Sequence, residues 1–274
     1  MIKVIHYCWF GNGEIPEKDR MCIESWKKFF PGFEIKRWDE SNFNVNICLY
    51  TKQAYEQKKW AFVSDFARIY ILYNYGGLYF DTDVKILKSF DDILERGPFL
   101  GREKEAPLIG VNPGIGMYAE KKMPFLKEIL DSYLNSSFLD QYGLHNYYNI
   151  VDRFSDHLIS KGLTPCDDIQ NVAGFAIYPK EYFCPMDYHS GVIRKSDKTH
   201  SIHLYHESWI DERTKHRKKV AAKIKKALPG KSGVFISKFY VKVSNLAILC
   251  KNGNYGAIMG KIKSKLLRER EKNE

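Results

Sequence analysis

The stretch "GGLYFDTD", residues 76–83, decides how this chain is read. Gly76 and Gly77 stop whatever precedes them. Leu78, Tyr79 and Phe80 follow as a short apolar run, and Asp81 and Asp83 stand at its end with one residue between them. Burying charge beside an apolar run is costly. The two carboxylates therefore either lie in solvent at a strand tip or are neutralised by a cation. In a turn they can converge on a common point. Hard divalent cations such as Mg²⁺ and Mn²⁺ take carboxylate oxygens and keep open positions for phosphate. A metal held this way stabilises a departing diphosphate.

Working back from the glycines, residues 58–75 carry Phe62, Phe66, Ile69, Tyr70 and Tyr73 at spacings of three and four. This spacing predicts a helix that Gly76-Gly77 terminates. Asp65 and Arg68 lie three apart and share a face. They form either a surface ion pair or, given the aromatic residues around them, the wall of a cleft. In the second case their replacement is expected to cost turnover with little change in melting temperature. "LYF" then reads as a strand delivering the carboxylates to its C-terminal end, where ligands bind in open α/β sheets.

The chain's opening has the same character. "IKVIHYCWF" reads as a buried strand ending in a glycine turn, with Trp9 at its end. "PEKDRMCIESWKKFFPG" reads as a helix facing inward through Met21, Ile23, Trp26 and Phe30, and "FEIKRWD" as a second strand. Strand, helix, strand predicts an α/β domain with a parallel sheet. Further on, "VNPGIGMYA" reads as a loop leading into a strand, and "MPFLKEILDSYL" as a helix with Pro124 near its start.

The 274 residues suit one large domain or a domain with an appendage. The net charge of +10 is uneven: residues 213–274 hold 18 Lys/Arg against 3 Asp/Glu, whereas residues 1–212 are net acidic at −5. The composition break divides an acidic body, 1–212, from a basic extension, 213–274. In the extension, Val220, Ile224, Ala227 and Leu228 share one helical face, and Ile258, Ile262 and Leu266 another. The six cysteines form no C-x-x-C pair and read as buried thiols of a reducing compartment. No apolar run reaches 18 residues and no cleavage-site pattern opens the chain, so a cytoplasmic or peripheral protein is expected.

A last group, His203, Ser208 and Trp209, stands in "IHLYHESW", with His206 equally available on chemistry alone. The segments "IHYCWFG", "SDFARIYILYNYGGLYFDTDV" and "IHLYHESW" occur in that order over residues 2 to about 210. Together they resemble glycosyltransferase family 32, the DXD-motif sugar transferases related to the large glucosylating toxins. The resemblance implies a Rossmann-like GT-A fold over residues 1–212. It also implies a nucleotide-sugar donor, with a UDP-sugar expected, Mn²⁺ or Mg²⁺ as cofactor, and transfer with retention at the anomeric carbon. Residue by residue, it assigns Trp9 to the donor base, Asp65 and Arg68 to the donor sugar and reaction centre, and Asp81 to ribose and donor sugar. Asp83 becomes a direct metal ligand, His203 the late metal or diphosphate ligand, and Ser208 and Trp209 a closure over the diphosphate. Many relatives have two adjacent His here, whereas Leu204 follows His203 in this chain.

The expected acceptor is a glycan or lipid-linked oligosaccharide in bacterial surface polysaccharide synthesis, with the basic extension on an anionic membrane surface. A toxin-like protein glycosyltransferase is the nearest rival. A haloacid-dehalogenase-type phosphatase calls for Thr or Val two residues beyond the second Asp, where Lys85 stands. A nucleic-acid-binding protein would suit the basic extension but leaves the ordered motifs of the acidic body without a purpose. Nucleic acid is therefore not expected as a partner.

Overall fold

The computed structural model describes residues 1–206 apart from 142, 147 and 189. Beyond 206 it describes only 216, 217, 220, 221, 223, 224, 227, 228, 230, 233, 235–237, 239, 240, 243 and 244. The chain divides into two compact units. One holds residues 1–138 and 147–206. The other holds 139–146 and 207–274, where Leu139 and His145 form an isolated antiparallel bridge.

The first unit opens with β1 (Val4–Cys8), α1 (Glu17–Phe29), β2 (Glu34–Trp38), α2 (Leu49–Glu56), α3 (Trp60–Tyr75), β3 (Gly77–Tyr79) and β4 (Val84–Ile86). It continues through α4 (Asp91–Leu94), β5 (Phe99–Arg102), β6 (Val111–Ala119), α5 (Pro124–Leu134) and α6 (Ile150–Ser160). It closes with β7 (Gln170–Val172), β8 (Phe175–Tyr178), α7 (Lys180–Phe183) and β9 (Ser201–His203). Seven strands form one sheet in the order β2-β1-β3-β6-β5-β8-β7, and β4 pairs with β9 in a second.

The expected α/β architecture is present, and β2, β1 and β3 run parallel as the opening predicts. The sheet then turns mixed, because β6 runs antiparallel to both β3 and β5. "VNPGIGMYA" is therefore strand along its whole length, not a loop leading into one. Its pairing explains the misleading composition. Asn112 pairs with Gly101 and Met117 with Leu100, so Pro113, Gly114, Ile115 and Gly116 bulge out between them. Proline and glycine in a strand mark such an interruption.

α1 turns Cys22, Ile23 and Trp26 inward, but Met21 is exposed. The core beneath joins Ile5, Trp26, Leu78, Phe80, Phe90 and Phe99. Gly76 and Gly77 end α3 with φ of 65° and 106°, a region that disfavours side chains. They also have no room: a Cβ on Gly76 would lie 2.6 Å from Ile2 Cδ1, and one on Gly77 would lie 2.7 Å from the Val4 carbonyl oxygen. This lets α3 reverse directly into β3. The turn is fastened by His6, whose Nε2–H donates to the Gly76 carbonyl (2.9 Å) while Nδ1 accepts from Trp38 Nε1 (3.1 Å). Burial pushes the His6 pKa down to about 4, so the ring is neutral and structural. Cys8, Cys22, Cys48 and Cys184 are buried free thiols. Among the described residues, no helix is long and apolar enough to cross a membrane.

Candidate active site

β1 and β3 are parallel neighbours, with His6 paired to Tyr79, so Trp9 and Asp81 emerge at the same edge of the sheet. The "DTD" segment is a turn between β3 and β4, closed by the Val84 N–H donating to the Asp81 carbonyl (3.0 Å). The two carboxylates do not converge. Each is drawn to a different set of partners.

Asp81 faces α3. Arg68 clasps it in bidentate fashion, Nη2 to Oδ1 at 3.1 Å and Nη1 to Oδ2 at 3.2 Å. The same guanidinium reaches Asp65 Oδ1 at 3.3 Å, so one cation serves two carboxylates. Arg68 also lies 4.9 Å over the Tyr79 ring, and the Tyr79 hydroxyl donates to Asp81 Oδ1 (3.2 Å). Arg68 is 4% exposed and Asp65 7%, which removes the surface-pair reading. Burial alone would lower the Arg68 pKa, but Asp81, Tyr79 and Asp65 outweigh it and hold the guanidinium charged. Burial pushes the Asp65 carboxyl up to about 6, against the pull of Arg68. The N–H of Ile150, at the start of α6, donates to Asp65 and also opposes that rise.

The bulge of β6 completes this cluster. The Gly114 carbonyl accepts from the Asp81 N–H (2.8 Å). A Cβ on Gly114 would lie 1.9 Å from Asp81 Oδ2 and 2.4 Å from Arg68 Nη1, so only glycine fits. Asn112 Oδ1 accepts from the Gly114 N–H (2.7 Å), and its amide donates to Glu103 Oε2 (2.8 Å). Gly114 and Asn112 escape sequence reasoning because "NPGIG" has loop composition. The Pro-Gly pair inside an apolar run was the available signal.

Asp83 faces β9. Its Oδ1 lies 3.1 Å from His203 Nε2, and its Oδ2 accepts from the His206 backbone N–H (2.9 Å). Burial would raise the Asp83 pKa, but His203 and the His206 N–H outweigh it and hold the carboxyl well below the ordinary range. Burial would lower the His203 pKa, yet Asp83 raises it well above the ordinary imidazole value. A carboxylate oxygen and an imidazole nitrogen this close fit one divalent cation. Ligands bound at roughly 2.0–2.2 Å in adjacent positions lie about 3 Å apart. Two protein donors leave room for phosphate oxygens, as octahedral Mg²⁺ sites usually do. Among the described residues, no group of three or more His, Cys, Asp or Glu converges on one point.

Trp9 is partly buried against the core, and its Nε1 donates to the Gly13 carbonyl (2.7 Å). Asp65, Arg68 and Asp81 form one cluster, Asp83 and His203 a second, and the three-residue turn joins them. Ser208 and Trp209 lie outside the described residues.

Residues 16–100, which run from α1 through the "DTD" turn to the start of β5, match the glycosyltransferase sugar-binding region containing a DXD motif. Over these residues the chain is similar to the DXD-motif glycosyltransferases. The α/β sheet carries its "DTD" turn at the carboxyl edge of β3. The chain is 28% identical over 140 residues to inositol phosphoceramide mannosyltransferase 3 of Schizosaccharomyces pombe, a match covering 47% of this chain and 36% of that protein. It is 36% identical over 107 residues to an uncharacterized glycosyltransferase of Acanthamoeba polyphaga mimivirus, covering 35% of this chain and 41% of the relative. The matches thus span well under half the length of these curated relatives. Among solved structures, the PaToxG glycosyltransferase aligns with a TM-score of 0.44 and 21% identity, covering 58% of this chain and 69% of the other.

Proposed function

We propose that the protein is a metal-dependent glycosyltransferase that moves a sugar from a nucleoside-diphosphate donor to an acceptor hydroxyl with retention of configuration. The observation that carries this reading is the pair of charged clusters flanking one turn, built around the buried Asp65, Arg68 and His203. Arg68 binds two carboxylates on one side, and a carboxylate and an imidazole stand 3.1 Å apart on the other. Asp83 and His203 would hold Mn²⁺ or Mg²⁺, which when bound would neutralise the leaving diphosphate. Asp81, fixed by Arg68 and Tyr79, is oriented to accept from sugar or ribose hydroxyls. Trp9, beside it on β1, offers a ring to the base, for which uracil is the expected partner. Asp65 lies near the anomeric carbon. The acceptor oxygen bonds to that carbon as the bond to the diphosphate oxygen breaks. The leaving group departs with the electron pair and takes the acceptor's proton on the same face.

Residues 1–212 form the catalytic part in this reading. The acceptor is a glycan or lipid-linked oligosaccharide in bacterial surface polysaccharide synthesis, assembled on the cytoplasmic side. The yeast relatives, inositol phosphoceramide mannosyltransferases, favour a lipid-borne acceptor and add mannose to the candidate sugars. The test is hydrolysis of UDP-glucose, UDP-galactose and GDP-mannose by the purified chain. At least one is expected to be cleaved with added Mn²⁺ and none with chelator present. Cleavage that is absent, or indifferent to the metal, overturns the reading.

The basic residues 213–274 bind an anionic membrane surface, attracted by about 1 kcal/mol per Lys or Arg near the lipid. Among the described residues there, Phe235, Phe239 and Val243 are exposed at 70%, 59% and 46%, which supports shallow insertion. The protein is expected to sediment with anionic but not neutral vesicles and to be released by high salt. Truncation after Arg213 should abolish sedimentation, and binding to neutral vesicles alike would refute the surface.

A further inference from the structure

We propose that Asp19 is a positioning residue for the metal-binding carboxylate of Asp83, acting through His206. The inference rests on the metal site described above. Asp19 lies in the first turn of α1 and is fully buried. An ionised carboxylate tolerates such burial only with partners. Its Oδ1 contacts His206 Nδ1 at close range, and its Oδ2 is buried with no hydrogen-bond partner. α1 is itself fastened to the strand that follows the "DTD" turn. Trp26 Nε1 donates to the Val84 carbonyl (2.7 Å), and the Ile86 N–H donates to Ser25 Oγ (2.9 Å). Asp19 is thus a fixed point beside Asp83.

His206 is held from three directions. Asp19 grips its ring, Lys18 Nζ donates to its carbonyl (3.3 Å), and its own N–H donates to Asp83 Oδ2 (2.9 Å). The N–H of Leu204 donates to the Asp83 carbonyl (3.0 Å). Between these two amides, Tyr205 has φ of +49°, a conformation that a bulky residue holds only when its surroundings impose it. The Asp19–His206 contact contributes to that hold, beside the Tyr205 hydroxyl's contact with Cys184 Sγ (3.0 Å). It places the His206 N–H on Oδ2 and so leaves Oδ1 facing His203 Nε2. Partners that orient a ligating carboxylate typically carry 10- to 100-fold in metal affinity.

The test is titration of the full chain with Mn²⁺ alone, following the free ion by electron paramagnetic resonance, with melting temperatures in parallel. Asp19→Asn and His206→Ala are each expected to weaken Mn²⁺ binding by about 10- to 100-fold. The double variant should be no weaker than the weaker single variant, because both changes break one chain of contacts. Unchanged Mn²⁺ affinity in the folded Asp19→Asn or His206→Ala protein, or losses that multiply in the double variant, would overturn the proposal. His206, on the edge of the site, serves if Asp19→Asn does not fold. Asp83→Asn separates the two readings. If it binds Mn²⁺ as the unaltered chain does, or if the unaltered chain binds none, the metal site itself falls. If Asp83→Asn loses Mn²⁺ while Asp19→Asn and His206→Ala keep it, only the positioning role falls.

Discussion

Asp83→Asn is expected to reduce sugar transfer on the order of 100- to 1000-fold, the effect of losing several kcal/mol of charge stabilisation at the leaving diphosphate. The substitution keeps the side-chain shape. Its amide oxygen still accepts from the His206 N–H, so the turn between β3 and β4 should persist. What disappears is the anionic oxygen 3.1 Å from His203 Nε2. His203 then has no charge partner in its buried site and should lose its proton, not remain an unpaired cation. The melting temperature should therefore move little compared with activity. The checks are a transfer assay and Mn²⁺ binding. Activity within tenfold of the unaltered chain would remove Asp83 as a ligand. His203→Ala should cost less, because one carboxylate ligand would remain.

Arg68→Ala is expected to abolish measurable transfer and also to destabilise the fold by about 3–5 kcal/mol, the usual consequence of leaving a buried carboxylate, here Asp65, without its cation. This departs from the sequence expectation of a purely kinetic effect. The reason is geometric. Arg68 is buried and neutralises both Asp65 and Asp81, and Asp65, itself buried, has little access to water in its place. Asp65 already bears a burial penalty with Arg68 present, and would bear more without it. Denaturant unfolding against the unaltered chain measures the stability loss. Arg68→Lys restores one charge but cannot reproduce the two-pronged clasp on Asp81, so it should recover stability more than turnover. A full-strength fold with lost activity in Arg68→Ala would show that the carboxylates reach solvent or other partners. Normal activity would remove Arg68 from the donor site.

Much of the candidate site was legible because its residues lie in one continuous segment. The aromatic spacing of α3, the glycine pair and the Asp-x-Asp run state a helix, a sharp reversal and a strand end in direct succession. Asp65, Arg68, Asp81 and Asp83 follow from that local order. The β6 bulge did not follow. Its Pro113 and Gly114 have loop composition, and only pairing with β5 shows that four residues leave the ladder between Asn112 and Met117. Gly114 matters because Asp81 and Arg68 occupy the space a Cβ would need, a fact about distant segments. The same holds for Met21, apolar yet exposed on α1.

The sequence by itself determined the α/β class, the helix that carries Asp65 and Arg68, and the two carboxylates at a strand end, since backbone propensity and residue spacing act within a few residues. Tertiary structure alone decided which charge meets which. Asp81 turns to Arg68 on α3 and Asp83 to His203, 120 residues away along the chain, because the turn after β3 leads into β4 and β4 pairs with β9. It also decided that Asp19 and His206 meet, 187 residues apart. Burial makes each of these pairings matter: in a medium that solvates charge poorly, a carboxylate takes the nearest fixed cation or N–H, and the fold sets which one that is.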